Sequence, residues 1–236
     1  MGLLVLNGGD EFNPGNDEQD RLLVAAAGSG PAYVVPTAAA RQHPEAAVRT
    51  AQRWFAKLGL QVQPLNILSR SDANSQELAA RAAEAGFLYL TGGDPGHVAG
   101  VLGGSAVWSA MVEAWRAGAP LAGSSAGAMA LCEWSLVIAK WPRHGTRRPV
   151  PALNLVPAVA VLPHYDTFGH KWLVQDPPSG LFLVGPDERT AAVWDPATAA
   201  WTVAGAGKVT LIPPAGAARV FANRQVIEGL PPPLNS

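Results

Sequence analysis

Residues 121–133 read LAGSSAGAMALCE, and within them Gly123-Ser124-Ser125-Ala126-Gly127 sets two serines among small residues. Gly-x-Ser-x-Gly between a strand and a helix is the spacing of a nucleophile elbow. Ser125 takes the apex, Gly123 and Gly127 allow close backbone approach, and the following helix turns its N-terminal amides toward the serine. The same residues also suit a plain tight turn. A serine nucleophile needs a base to take its proton and a carboxylate to orient that base. Of five histidines, His43 and His144 fall in segments expected to be solvated, and His97 opens a helix after a second glycine turn, TGGDPGH (91–97). His164 ends an apolar run, VAVLPH, so it arrives at the same sheet edge as Ser125. Glu188 in VGPDERTAAV again follows a strand end. Asp187 and Asp166 are its alternatives, and a surface-turn role for Glu188 stays open. In an α/β-hydrolase the acid precedes a late histidine, so the order Ser125, His164, Glu188 requires another scaffold. Triads are defined by geometry, so that order is permissible.

Other chemistries find less support. No phosphate-binding G-x-x-x-x-G-K-[ST] or strand-linked G-x-G-x-x-G occurs. His164, Asp166 and His170 lack an established ligand spacing, so no metal is expected, and no organic cofactor is implied. Glutamine amidotransfer uses a cysteine at the elbow. Here that position is Ser125, and the lone Cys132 falls seven residues later, where it reads as a buried residue inside the elbow helix.

The elements that must hold these residues follow from apolar spacing. LLVLN (3–7), AYVVP (32–36), QVQPL (61–65), FLYLT (87–91) and PLAGS (120–124) read as buried parallel strands. Between them lie helical patterns at 17–27, 44–59, 75–86 and 105–118. In the second, Ala47, Val48, Ala51, Trp54, Phe55 and Leu58 share one face. Such alternation predicts βαβ units in a mostly parallel, doubly wound α/β sheet with flanking helices. After the elbow helix, WPRHGTRRPVPALN (141–154) reads as an irregular loop. Short strands then follow at 159–165, 181–185, 190–194, 201–205, 208–212 and 218–223, predicting extra β-hairpins in the C-terminal third, at one edge of the sheet. In such folds ligands bind beyond the carboxyl ends of the strands, which is where NGGDEF (7–12), TGGDPGH and GSSAGA (123–128) fall.

Bulk properties agree with one domain spanning 1–236. The chain is 48% hydrophobic and 15% charged, with a formal net charge of -1. That balance supplies no field for nucleic acid or an anionic membrane, so neither is an expected partner. One cysteine excludes an internal disulfide and fits a reducing compartment. MGLLVLNGGDEF reads as a first strand rather than a leader, and no apolar stretch reaches bilayer length, so a cytoplasmic protein is expected. Eight tryptophans and several exposed-looking strands are compatible with a homodimer.

TGGDPGHVAGVL (91–102), GSSAGAMAL (123–131), LPHYD (162–166) and GPDERTAAVW (185–194), in that order and spacing, resemble the dipeptidase E and cyanophycinase family of serine peptidases. That family lies within the class I glutamine-amidotransferase-like superfamily. The likeness covers most of the chain, including NGGDEF and the strand-then-VPTA segment at 34–38. It implies Ser125 as nucleophile, His164 as general base, Glu188 as orienting carboxylate, and the Gly93 and Ala126 amides as oxyanion hole. Asp94, Ser124 and Tyr165 stand beside these as candidate substrate contacts, although Asp94 equally suits capping of local amides. The family carries an arginine-bearing segment after the histidine. Here DTFGHKWLVQDPPSG (166–180) has only Lys171, leaving Arg143, Arg147 and Arg148 as possible substitutes or as a solvated face. The expected activity is hydrolysis of a small peptide-like substrate. An esterase on the same triad and a non-catalytic ligand-binding domain are the alternatives.

Overall fold

The computed structural model describes residues 1–140 and 143–234, and the side chains of Lys140 and Arg143 lie outside that description. The first half alternates strand and helix as the apolar spacing predicts. Its elements are β1 (Leu4–Asn7), α1 (Asp17–Ala26), β2 (Ala32–Val35), α2 (Pro44–Lys57), β3 (Val62–Pro64), α3 (Arg70–Ala73), α4 (Gln76–Ala83), β4 (Phe87–Leu90), α5 (Pro95–Leu102), α6 (Ala106–Arg116), β5 (Leu121–Ser124) and α7 (Ala126–Leu131). The second half is nearly all strand: β6 (Cys132–Lys140), β7 (Arg143–Pro151), β8 (Val156–Val161), β9 (Leu173–Val174), β10 (Phe182–Pro186), β11 (Thr190–Asp195), β12 (Ala200–Gly205), β13 (Lys208–Ile212) and β14 (Arg219–Ala222).

These strands form two seven-stranded sheets. The first runs β12-β11-β1-β5-β4-β2-β3, parallel from β1 through β3 with β11 and β12 antiparallel at one edge. The second runs β14-β13-β10-β8-β6-β7-β9 and mixes both pairings. The α/β class with a mostly parallel first sheet agrees with the sequence. The late strands do more than the expected edge hairpins, since all but β11 and β12 build a sheet of their own.

Strict alternation explains how the first sheet is covered on both faces. Val5, Val34, Phe87, Tyr89 and Ala122 point to one core with Leu23 of α1 and Val48, Ala51, Trp54 and Phe55 of α2. Leu4, Leu6, Val35, Leu88, Leu90 and Leu121 point to the other, shared with Met111 and Trp115 of α6 and with Val156, Val161, Val184 and Leu211 of the second sheet. Period-2 apolar residues on both faces are what a sandwiched parallel strand requires. Helix starts are fixed locally: Ser69, Ser75, Asp94 and Ser105 each accept a backbone N–H of their helix's first turn, an arrangement that stabilises by about 1 kcal/mol per cap. Pro44 and Pro95 sit at the first helical position, where a missing N–H is harmless.

Two local expectations are corrected. The elbow helix ends at Leu131, so Cys132 is the first residue of β6, fully buried and paired with Val156. The segment expected as an irregular loop is for the most part β7, paired antiparallel with β6. Trp141 and Pro142 of that segment lie outside the described residues.

Candidate active site

The elbow is built by close backbone contact. β5 and β1 run parallel with Asn7 beside Ser124, and the Asn7 carbonyl accepts the Ser125 N–H at 3.0 Å. A Cβ on Gly123 would lie 2.5 Å from the Gly127 carbonyl carbon, and one on Gly127 2.5 Å from the Leu90 oxygen. Only glycine fits either place. Ser125 itself is held at φ 48° and ψ -110°, between the strand and α7. A non-glycine residue at such angles stores roughly 1–3 kcal/mol, maintained by the packing around it.

His164 follows β8 through Leu162 and Pro163 and also adopts positive φ, 51°. Its N–H is bound by the Gly8 carbonyl at 2.7 Å, and its carbonyl accepts from Phe168 and Gly169 in a tight turn. The imidazole Nε2 lies 3.2 Å from Ser125 Oγ, and Nδ1 lies 2.8 Å from Glu188 Oε1. A carboxylate can only accept, so Nδ1 carries the hydrogen and Nε2 is left to accept the serine hydroxyl. One face of the ring stacks on Phe168, with centroids 4.8 Å apart and planes 22° from parallel. Gly9 lies close under the ring as well, since a Cβ there would fall 2.3 Å from His164 Cε1.

Glu188 sits between β10 and β11, where the chain crosses from the second sheet to the first. Its N–H is held by Asp166 Oδ1 at 3.0 Å, and Thr167 Oγ donates to the same oxygen that faces His164, at 3.3 Å. The spare carboxylates thus have other work. Asp166 supports Glu188, and Asp187 accepts the Lys208 N–H at 2.9 Å, with burial pushing its carboxyl up.

A cavity of about 190 Å³ opens over Ser125, lined by Gly93, Ala126, Met129, Arg147, His164, Phe168 and Trp172 among others. It adjoins a second of about 360 Å³ with Gln42, Asp94, Val137 and Ile138, sharing Gly93, Pro95 and Arg147. Of the arginines weighed from the sequence whose side chains are described, Arg147 lines these cavities and Arg148 does not. The Arg147 guanidinium lies 3.7 Å above the centre of the Trp172 ring, and burial pulls its pKa down. Arg148 is exposed, and the Arg143 side chain is outside the described residues.

The structure brings together Ser125, His164, Glu188, Gly93, Ala126 and Asp94. Asp94 lines the outer cavity, and its Oδ1 accepts the His97 N–H as a local cap. Two expected substrate contacts are corrected. Ser124 is fully buried because β5 packs it inward, where its hydroxyl donates to Glu11 Oε2. Tyr165 lays its ring over Gly185, and neither residue lines either cavity. His97 turns to the Leu68 carbonyl, and His170 to that of Tyr165. Among the described residues no cluster of His, Cys, Asp or Glu has a metal-binding arrangement. No single helix among them is long and apolar enough to cross a membrane.

Sequence reasoning missed the polar groups behind the elbow. Glu11 binds both Ser124 and the Gly92 N–H. Beneath it, the fully buried Asp20 accepts from Trp54 Nε1 at 2.7 Å, and burial raises its pKa to about 7, with Glu11 and Asp17 adding to the rise. Burial together with the nearby Asp20 and Glu11 also pushes the Tyr89 hydroxyl up. The available signal was a glutamate inside NGGDEF, a glycine turn already marked as lying at a strand's carboxyl end.

Comparisons with known proteins identify the family. The model of the peptidase family S51 matches residues 3–175. Cyanophycinases from Trichormus variabilis and a Nostoc species are each 28% identical over 221 residues, spanning 90% of this chain and 73% of theirs. The crystal structure of a peptidase from an acI-B1 Actinobacterium superposes with a TM-score of 0.83 at 28% identity, covering 96% of both chains. A Listeria monocytogenes chain assigned provisionally to peptidase E shares the fold, with a TM-score of 0.55 at 17% identity over 95% of this chain and 99% of its own. With the family model matched from the first strand through the elbow and His164, the chain belongs to peptidase family S51 and is a serine-type peptidase.

Proposed function

We propose that Ser125, His164 and Glu188 form the catalytic triad, that the Gly93 and Ala126 amides form the oxyanion hole, and that the substrate is a small peptide or peptide-like amide. The observation that carries this is the hydrogen-bond series from Glu188 through His164 to a serine held at strained angles. Ser125 Oγ attacks the carbonyl carbon while its proton passes to His164 Nε2. Two backbone N–H groups stabilise the tetrahedral oxyanion, each typically worth roughly 2.7–4 kcal/mol. Collapse breaks the C–N bond as His164 protonates the departing amine, and the acyl group remains on Ser125. Water then repeats the sequence and releases the acid. Glu188 keeps the imidazole in the required tautomer and stabilises the imidazolium.

Substrate size follows from the cavities, whose volumes suit a few residues rather than a folded chain. Relatives named cyanophycinase and peptidase support a peptide-like amide. Arg147, desolvated against Trp172, offers a cation for a substrate carboxylate. Dipeptides with an N-terminal aspartate are therefore the first substrates to try.

A fluorophosphonate probe tests the nucleophile directly, since Oγ attack at phosphorus expels fluoride and leaves a stable adduct. Mass spectrometry is expected to map the adduct to Ser125, with none in Ser125→Ala or His164→Ala. Failure of the folded wild-type protein to label would overturn the assignment and favour a binding domain that retains the shape without the chemistry.

A further inference from the structure

Among the described residues, Glu11 is the carboxylate that ties together the two loops on which the proposed chemistry depends. It lies in the turn after β1, between Asp10 and Phe12, both at positive φ. Its Oε1 accepts the Gly92 N–H at 2.8 Å, and its Oε2 accepts the Ser124 hydroxyl at 2.9 Å. Gly92 precedes Gly93, and Ser124 precedes Ser125. On the far side of Gly93, the Asp94 N–H is bound by the Ala38 carbonyl at 2.8 Å. The Gly93 peptide is thereby caught between two anchored amides, one of them anchored by Glu11.

We propose that Glu11 is a positioning residue that sets the separation between the Gly93 oxyanion amide and the Ser125 nucleophile. The inference rests on the triad reading above. An oxyanion donor works only within about 2.7–3.1 Å of where the charged oxygen will stand. A misplacement of about 1 Å costs on the order of 100-fold in rate. Bonds to a carboxylate are shorter and stronger than neutral ones, so one side chain spanning both loops is an effective brace. A negative charge behind an oxyanion hole opposes the developing charge, so the contribution of Glu11 is geometric. Neither Glu11 nor Ser124 lines the cavity over Ser125, so this effect does not pass through substrate contact.

The test compares Glu11→Ala, Glu11→Gln and Ser124→Ala by fluorophosphonate labelling rate, by kcat and KM on a cleaved dipeptide, and by Tm. Glu11→Ala is expected to slow labelling and kcat by about 10- to 100-fold with KM within about 3-fold, below the roughly 10²–10³ of deleting an oxyanion donor. Glu11→Gln keeps an acceptor for Gly92 and restores most of that loss. Ser124→Ala cuts one arm and falls between, and adding it to Glu11→Ala lowers the rate no further. Labelling of Glu11→Ala at the wild-type rate, or a Glu11→Gln variant as slow as Glu11→Ala, would overturn the proposal. Should Glu11→Ala fail to fold, Ser124→Ala decides: slowed labelling supports the brace, and a wild-type rate refutes it. An unlabelled wild-type protein would instead remove the triad reading, and this inference with it.

Discussion

Asp20 makes the stability of this protein depend on pH in a direction opposite to that of most carboxylates. The side chain is fully buried, with one hydrogen bond, from Trp54 Nε1 to Oδ2, and no partner for Oδ1 among the described residues. Burial, chiefly, raises its pKa from 3.8 to about 7. A carboxyl with a folded pKa above its unfolded value holds a proton in the folded state that the unfolded chain has already released. Stability from this group is therefore complete below pH 3.8 and is lost as pH rises toward about 7. A shift of about three units corresponds to at most roughly 4 kcal/mol, a large part of the 5–15 kcal/mol typical of a folded domain. Asp20→Asn removes the titration while leaving Trp54 an acceptor. Urea unfolding of both proteins from about pH 4 to about pH 8 isolates the effect, because titrating groups remote from Asp20 cancel in the difference. The stability of Asp20→Asn relative to wild type is expected to climb with pH and level off above about 7. A difference that stays flat, or one that falls with pH, would refute the reasoning.

Three further outcomes follow from the site. Ser125→Gly relieves the strained φ and ψ, so it is expected to abolish hydrolysis while raising stability by about 1 kcal/mol, read as a higher Tm. Gly9→Ala puts a methyl 2.3 Å from His164 Cε1, and the displaced imidazole is expected to lower kcat by about 100-fold or more, while the φ of 119° that only glycine adopts easily makes Tm fall as well. Arg147→Met keeps packing on Trp172 and removes the charge. It is expected to raise KM for substrates bearing a carboxylate by about 10-fold, which is about 1.4 kcal/mol, and to leave KM for neutral analogues near its starting value.

What the sequence revealed depended on whether the signal was local. β1 to β5 and the helices between them were legible because their alternation and 3.6-residue spacing reflect burial on both faces of one sheet. β7 was not. Pro149 and Pro151 argue against a strand, yet β7 pairs along its length only with β6 and meets the two-residue β9 at Thr146 and Arg147. Both prolines thus lie on an unpaired edge, where their missing N–H is tolerated. The second sheet was equally hidden, because nothing within β8 or β10 specifies that they pair with each other in parallel. At the site, Ser125, His164 and Glu188 each end or follow a strand, as the apolar runs indicate, but the expectation that His164 shares the sheet of Ser125 is corrected, because β8 pairs in the second sheet with β10 and β6. Glu11 could not be assigned a partner, since its contacts lie 81 and 113 residues away. Asp20 was hidden for a related reason. It stands in DEQDRLL among acidic neighbours typical of a solvated helix start, and only the docking of Trp54 from α2 encloses it.

The proposed nucleophile belongs to the first sheet, the base to a loop of the second, and the acid to the crossing between them. This division orders events during synthesis. When the ribosome has released the elbow, His164 lies 39 residues downstream in chain still to be made and Glu188 further, so the nascent chain carries the proposed nucleophile without its proposed base and acid. The same holds for any fragment cut between α7 and β8. On the proposed triad, hydrolytic competence requires both sheets, so an emerging or truncated copy is expected to leave the peptides around it uncut.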